Sequence, residues 1–180
     1  VSKDDANRDA YALAIGKIAM AWNEYHEVLG SLFASLFTKS HYLTALDIWH
    51  CLDNDRTQRR LLRTAANTYL AWNKKGLEEL NWLLNKTDTL LSAQRNVGVH
   101  APLNGLFEVE GVSRLYPVPG PGNRNAKQLD GKDVLKEYAH YEQQLRKICI
   151  FATALRFKLR EGRHTDDPWP ERPMLSSDSG

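Results

Sequence analysis

Gln94-Arg95-Asn96-Val97-Gly98-Val99-His100 gathers three side chains of complementary chemistry into one short run. A histidine titrates near neutral pH, so His100 can take up a proton and return it. The Arg95 guanidinium presents a fixed fork of donors that fits a phosphate and stabilises charge developing on it. Asn96 both donates and accepts, so it can orient either neighbour. Such a set suits transfer at phosphorus when the substrate carries its own nucleophile, and neither role requires a metal. A plainer reading has Arg95 paired with an acid on another helix and His100 capping exposed carbonyls. Five helical steps separate Arg95 from His100 by about 140°, so only Asn96 and His100 share a face. That divergence predicts a pocket completed by a second copy across a two-fold axis. Gly98 costs about 1 kcal/mol of helix propensity, which close approach of a partner's backbone would explain.

The elements that must position this run are helical. Ile15, Ile18, Trp22, Tyr25, Leu29, Leu32 and Leu36 alternate spacings of three and four, a heptad seam over a first helix of about 5–37. Ser40 is a plausible cap for a second helix through Cys51, and Asp53, Asn54 and Asp55 mark a break. A helical run from Arg56 to about Asn73 is expected to stop at Lys74-Lys75-Gly76. A third long helix runs from about Leu77 to His100, and Pro102 disfavours helix at Ala101. Apolar residues around Glu110-Gly111 predict a small hairpin. A Pro/Gly loop follows, and a last helix spans about 132–161. The expectation is an all-α, four- to five-helix up-and-down bundle over 1–162, with a hairpin and loop insertion at about 105–130 before the last long helix. Residues 163–180, rich in Pro, acid and Ser, read as a flexible C-terminal tail.

Composition removes several classes. The chain has 180 residues, 42% hydrophobic and 26% charged, which suits one ordinary globular domain. Its 24 basic and 22 acidic residues nearly cancel, so any anion-binding surface must be a local patch. No uncharged apolar run approaches the roughly 18 residues a membrane span needs, and a cytoplasmic protein without membrane contact is expected. Cys51 and Cys149 read as two buried thiols. His26-Glu27 opens like a zincin motif, but Gly30 stands where a second His is required. No P-loop triplet and no GxSxG elbow occur. His41, Asp47 and His50 match no metal-ligand spacing, so no metal and no other cofactor is expected. Arg56, Arg59, Arg60 and Arg63 form a stripe at helical spacing that could touch RNA phosphates, or could be a solvated face.

Arg95-Asn96 followed by His100 is the R-x4-6-H motif of the HEPN superfamily, and the chain resembles that family beyond the motif. The motif falls at the end of the third long helix of an all-α chain. Trp22-Asn23 with Tyr25 and Leu29 looks like a HEPN first helix. Ile48-Trp49-His50 through Asp55-Arg56-Thr57-Gln58-Arg59 is similar to one bacterial branch of the superfamily. The resemblance covers roughly residues 5–160. It implies a metal-independent endoribonuclease cleaving single-stranded RNA through its 2′-OH, acting as a toxin or defence effector. The alternative it implies is a non-catalytic module that binds RNA, nucleotides or another protein. It also implies a homodimer through the helix carrying Arg95 and His100, and an antitoxin partner. Asn23 and His26 are candidate pocket residues, because family members place a polar residue of the first helix there. Pro102 stands where members modified by a nucleotidyltransferase antitoxin have Tyr, so that regulation is not expected.

Overall fold

Burial follows the heptad seam. In the computed structural model, which describes residues 3–101, 103, 105–109, 112–117, 124–161 and 168–176, Ile18, Trp22, Tyr25, Leu29 and Leu32 are all buried. They lie on α1 (Lys3–Ser35). A 3-10 turn, Lys39–His41, leads into α2 (Tyr42–His50). Then come α3 (Asp55–Tyr69) and α4 (Lys74–Lys86), a π-helical turn (Thr87–Leu91), and α5 (Ser92–His100). Strands β1 (Gly105–Val109) and β2 (Val112–Tyr116) pair antiparallel, with Gly105 opposite Tyr116 and Val109 opposite Val112. The short α6 (Arg124–Lys127) and the long α7 (Val134–Glu161) complete the order. The chain is therefore all-α with a two-stranded hairpin before its last long helix. Among the described residues, no helix is long and apolar enough to cross a membrane.

Local chemistry explains most boundaries. Asn54 caps α3, its Oδ1 accepting from the N–H groups of Arg56 and Thr57. Ala101 leaves α5 in an extended conformation, as Pro102 after it demands. Asp133 Oδ1 accepts from Lys136 N at the start of α7. The expected stop at Lys74-Lys75-Gly76 is a start instead. Asn73 accepts from Gly76 N and caps α4, so the lysines open a helix rather than close one. Gly76 is needed there for packing, since a Cβ would lie 2.6 Å from Leu159 Cδ2. Ser40 does not cap α2; it lies inside the 3-10 turn. The loop expected between the hairpin and the last helix contains α6, and the Glu110-Gly111 turn lies outside the described residues. Cys51 is exposed rather than buried, because α2 ends just before it; Cys149 is half-buried.

The chain sorts into two compact units. One holds α1 through Trp22, then Leu90–Leu145, and the residues from Leu175 on. Its core is Ile18, Trp22, Leu91, Val97, Leu129, Tyr138, Tyr141 and Leu145. Burial pushes the Tyr138 phenol well above its ordinary range. The other holds Asn23–Thr89 and Arg146–Met174. There Leu29, Phe33, Trp49, Leu62, Leu80, Leu83, Leu84, Ile148 and Leu155 form the core. Burial also raises the Tyr25 phenol, partly offset by its hydrogen bond with Thr87 Oγ1.

The expected flexible tail is not free over 168–176. These residues form neither helix nor strand, yet long-range partners anchor them. In one unit Arg172 pairs with Glu78 and Glu79 of α4, and its guanidinium lies 5.4 Å from the Trp82 ring centre. In the other, Ser176 O accepts from Gln94 Nε2 and Ser176 N donates to Gln144 Oε1. Composition registered the lack of periodicity and missed these pairings.

Candidate active site

Arg95, Asn96 and His100 meet within one chain. The Arg95 NH1 group donates to Asn96 Oδ1 at 3.0 Å and faces His100 Nε2 at 3.4 Å. The long arginine side chain closes the 140° divergence by folding back over the last turn of α5, so a second copy is not needed to assemble the three groups. Arg95 is held from below as well. Its guanidinium carbon lies 5.6 Å from the ring centre of Trp22, a buried residue of α1 in the same unit. Asn96 and His100 are exposed and Arg95 is half-buried, so the group is open to a large substrate.

Hydrogen-bond logic assigns the protons. A guanidinium only donates, so the Nε2 atom that Arg95 faces acts as acceptor, and the ring proton belongs on Nδ1. His100 thus presents a basic nitrogen toward Arg95. The two NH1 protons serve Asn96 and His100. The Nε and NH2 edge, a two-pronged donor suited to a phosphate, makes no hydrogen bond among the described residues.

Gly98 has a different reason from the one expected. A Cβ there would lie 2.6 Å from Ile18 Cδ1, so the close neighbour is a buried side chain of α1, not a partner's backbone. Both arguments for a two-fold pocket, the divergence and the glycine, are therefore met inside one chain.

The arginine stripe divides. Arg56 and Arg60 are exposed, one turn apart on α3. Arg59 is buried and donates from Nε to Asp88 Oδ1 at 2.8 Å. Arg63 donates to Asn81 Oδ1 and reaches Asp88 Oδ2 at 3.4 Å. Two of the four candidate RNA contacts are thus tied to a carboxylate of the π-helical turn, which local sequence spacing does not reveal.

His26 and Asn23 are the candidate pocket residues of the first helix. Both belong to the unit that lacks Arg95, and Asn23 is exposed. His26 is buried in a polar network. Gln58 donates from Nε2 to Trp49 O and Leu52 O, which turns its Oε1 toward His26 Nδ1 at 3.3 Å. Arg59 NH1 faces His26 Nε2 at 3.3 Å. Asp55 Oδ2 also lies 4.0 Å from that Nε2. This is a core histidine whose two ring nitrogens are both satisfied.

Two residues around the motif escaped the sequence reading. Trp22 reads from the sequence as a seam residue and a mark of the first helix, not as a partner of Arg95, since an aromatic at that spacing normally packs a core. Gln94 is buried beside Arg95 and bonds Ser176, a pairing 82 positions apart that no local pattern encodes. Among the described residues, no three His, Cys, Asp or Glu side chains cluster as metal ligands; His41 bonds Thr38, and His50 lies 3.7 Å from Glu27. No family model, curated protein or solved structure matches the chain.

Proposed function

We propose that this chain is an endoribonuclease of the HEPN type that cleaves single-stranded RNA by attack of a ribose 2′-OH on the adjacent phosphate. The observation that carries the reading is Arg95 stacked on Trp22 with its NH1 beside the acceptor nitrogen of His100. Substrate phosphate draws Arg95 NH1 off His100 Nε2, and that nitrogen's single lone pair then takes the 2′-OH proton as the oxygen attacks phosphorus. The free Nε and NH2 edge of Arg95 holds the non-bridging oxygens and stabilises the charge that builds on them. The imidazolium so formed sits against the Arg95 cation, which favours passing its proton on to the departing 5′-oxygen. The 2′-oxygen gains a bond to phosphorus, the 5′-oxygen loses one, and the products are a 2′,3′-cyclic phosphate and a 5′-hydroxyl. Asn96 fixes the NH1 half of the guanidinium so that the other half faces substrate.

The reading needs only one copy of the chain for a complete set of groups. It makes the 2′-OH indispensable. An oligonucleotide of deoxyribose with a single ribonucleotide should be cut only after that ribonucleotide, and the same oligomer carrying a 2′-O-methyl group there should survive. Cleavage of the methylated or all-deoxy strand would refute the mechanism. RNA binding without any cleavage would assign the chain to the non-catalytic modules.

A further inference from the structure

The segment 168–174 reads Pro-Trp-Pro-Glu-Arg-Pro-Met, three prolines in seven residues. It forms neither helix nor strand, and each of its residues is exposed or half-buried. A chain so rich in proline favours the polyproline II conformation, where residues three apart share a face. Trp169 and Arg172 are three apart, and both meet the unit built from Asn23–Thr89 and Arg146–Met174, to which the segment belongs. Lys158 Nζ of α7 lies 5.8 Å from the Trp169 ring centre, and Arg172 reaches α4.

What receives Arg172 is shaped for a guanidinium. Glu79 is buried, and its carboxylate accepts from Nε at 2.7 Å and from NH2 at 3.1 Å, a two-pronged fit. Glu78 accepts from the same NH2. Trp82, three residues after Glu79 and so on the same face of α4, has its ring centre 5.4 Å from the guanidinium carbon. Each of these groups has a second support that does not involve the segment. Lys75 Nζ lies 2.7 Å from Glu79 Oε1 and 3.5 Å from Glu78 Oε2. Phe151 meets Trp82 edge-on, with ring centres 5.1 Å apart. With the segment withdrawn, Lys75 would still hold both carboxylates and Phe151 the aromatic wall.

We infer that α4 carries a preformed arginine-binding site, and that segment 168–174 is its ligand rather than a fixed wall of the fold. The segment docks and leaves as a unit, and a separate peptide of the same sequence takes its place. Specificity comes from the planar fork, because an ammonium matches the charge but not the paired geometry of the carboxylate oxygens. Docked, the segment stabilises the chain as any ligand of a folded state does. The site lies in the unit that lacks Arg95 and His100, and it stands whether or not that pair cleaves RNA.

Fluorescence anisotropy on the full chain tests this, with a labelled peptide of residues 168–174 as the probe. Arg172→Ala disables the resident segment, and Arg172→Lys keeps its charge without the fork. The peptide should bind the Arg172→Ala chain at least about ten-fold tighter than the parent, whose own segment competes at a roughly millimolar effective concentration. Binding to the Arg172→Lys chain should fall between the two. That chain retains an ion pair to α4, so it is a folded host that does not depend on the alanine variant. A peptide carrying Arg172→Gln should bind at least about ten-fold weaker than the native peptide, and adding Glu79→Gln to the Arg172→Ala chain should weaken the native peptide as much. Circular dichroism on each host checks that the helices persist. Equal binding to parent and both hosts, equal binding of the two peptides, or no binding to either host would overturn the inference and make the segment a fixed part of the fold.

Discussion

At the scale of single residues, the account rests on a guanidinium that folds back onto its own helix. Arg95 and His100 are partly or fully exposed, so their loss should cost chemistry and little stability. Arg95→Ala and His100→Ala should each lower the cleavage rate by at least about 10²-fold, with stability within about 1 kcal/mol of the parent. Initial rates and thermal melts on the same preparations check both halves. A variant that melts far earlier would show that the residue holds the fold together. Gly98 is a packing residue by contrast. Gly98→Ala drives a Cβ into Ile18 Cδ1, an overpacking cost of about 1–3 kcal/mol, against about 1 kcal/mol gained in helix propensity. Net destabilisation is expected, and Ile18→Val, which removes the offending methyl, should restore part of it. A double-mutant cycle without coupling between the two positions would contradict the contact. The motif, its order and its place at a helix end were legible in the chain. The fold-back was not, because helical wheel geometry places Cα atoms and says nothing of where a long flexible side chain ends.

At the scale of elements, the segment 168–176 is where composition misled most. Proline and acid content gave it the look of a tail, yet its partners lie far away in sequence. Arg172 reaches Glu78 and Glu79, and the backbone of Ser176 satisfies the buried amides of Gln94 and Gln144. Local periodicity cannot register such pairings, whereas it does register α1, the hairpin and the end of α5. The Asn73 cap was hidden for a related reason: Lys-Lys-Gly reads as a helix stop until the asparagine before it is seen to close the next helix. Burial alone would raise the Glu79 carboxyl, but the hydrogen bonds from Arg172 and Lys75 outweigh it and hold the group below the usual carboxylate range. A carboxyl lowered in the folded state adds stability above its ordinary value, about 4.3. That contribution fades as pH falls through the lowered value. Parent and Glu79→Gln should therefore differ in melting temperature at neutral pH and converge in strong acid. A constant gap across the titration would show that Glu79 acts through something other than its charge. Removing residues 168–180 should destabilise the chain, since two buried glutamine amides lose partners at roughly 1–3 kcal/mol each.

For the molecule as a whole, near-balance of charge makes the proposed RNA affinity a local matter. Arg56 and Arg60 remain exposed on α3, whereas Arg59 is buried against Asp88. Arg56→Ala with Arg60→Ala should flatten the salt dependence of RNA binding, each phosphate contact contributing roughly one unit of slope. Arg59→Ala should instead lower the melting temperature, because it leaves Asp88 without its shortest ion pair. An unchanged salt slope in the first variant would remove that face of α3 from the binding surface. The central claim is that Arg95 and His100 of one chain cleave RNA by proton transfer and charge stabilisation alone. Its most direct test is the purified chain with end-labelled single-stranded RNA in excess EDTA, beside the His100→Ala chain. The account predicts full-rate cleavage leaving 2′,3′-cyclic phosphate and 5′-hydroxyl ends, and none with His100→Ala. Activity that vanishes in EDTA and returns with Mg²⁺, or that persists in His100→Ala, would contradict it.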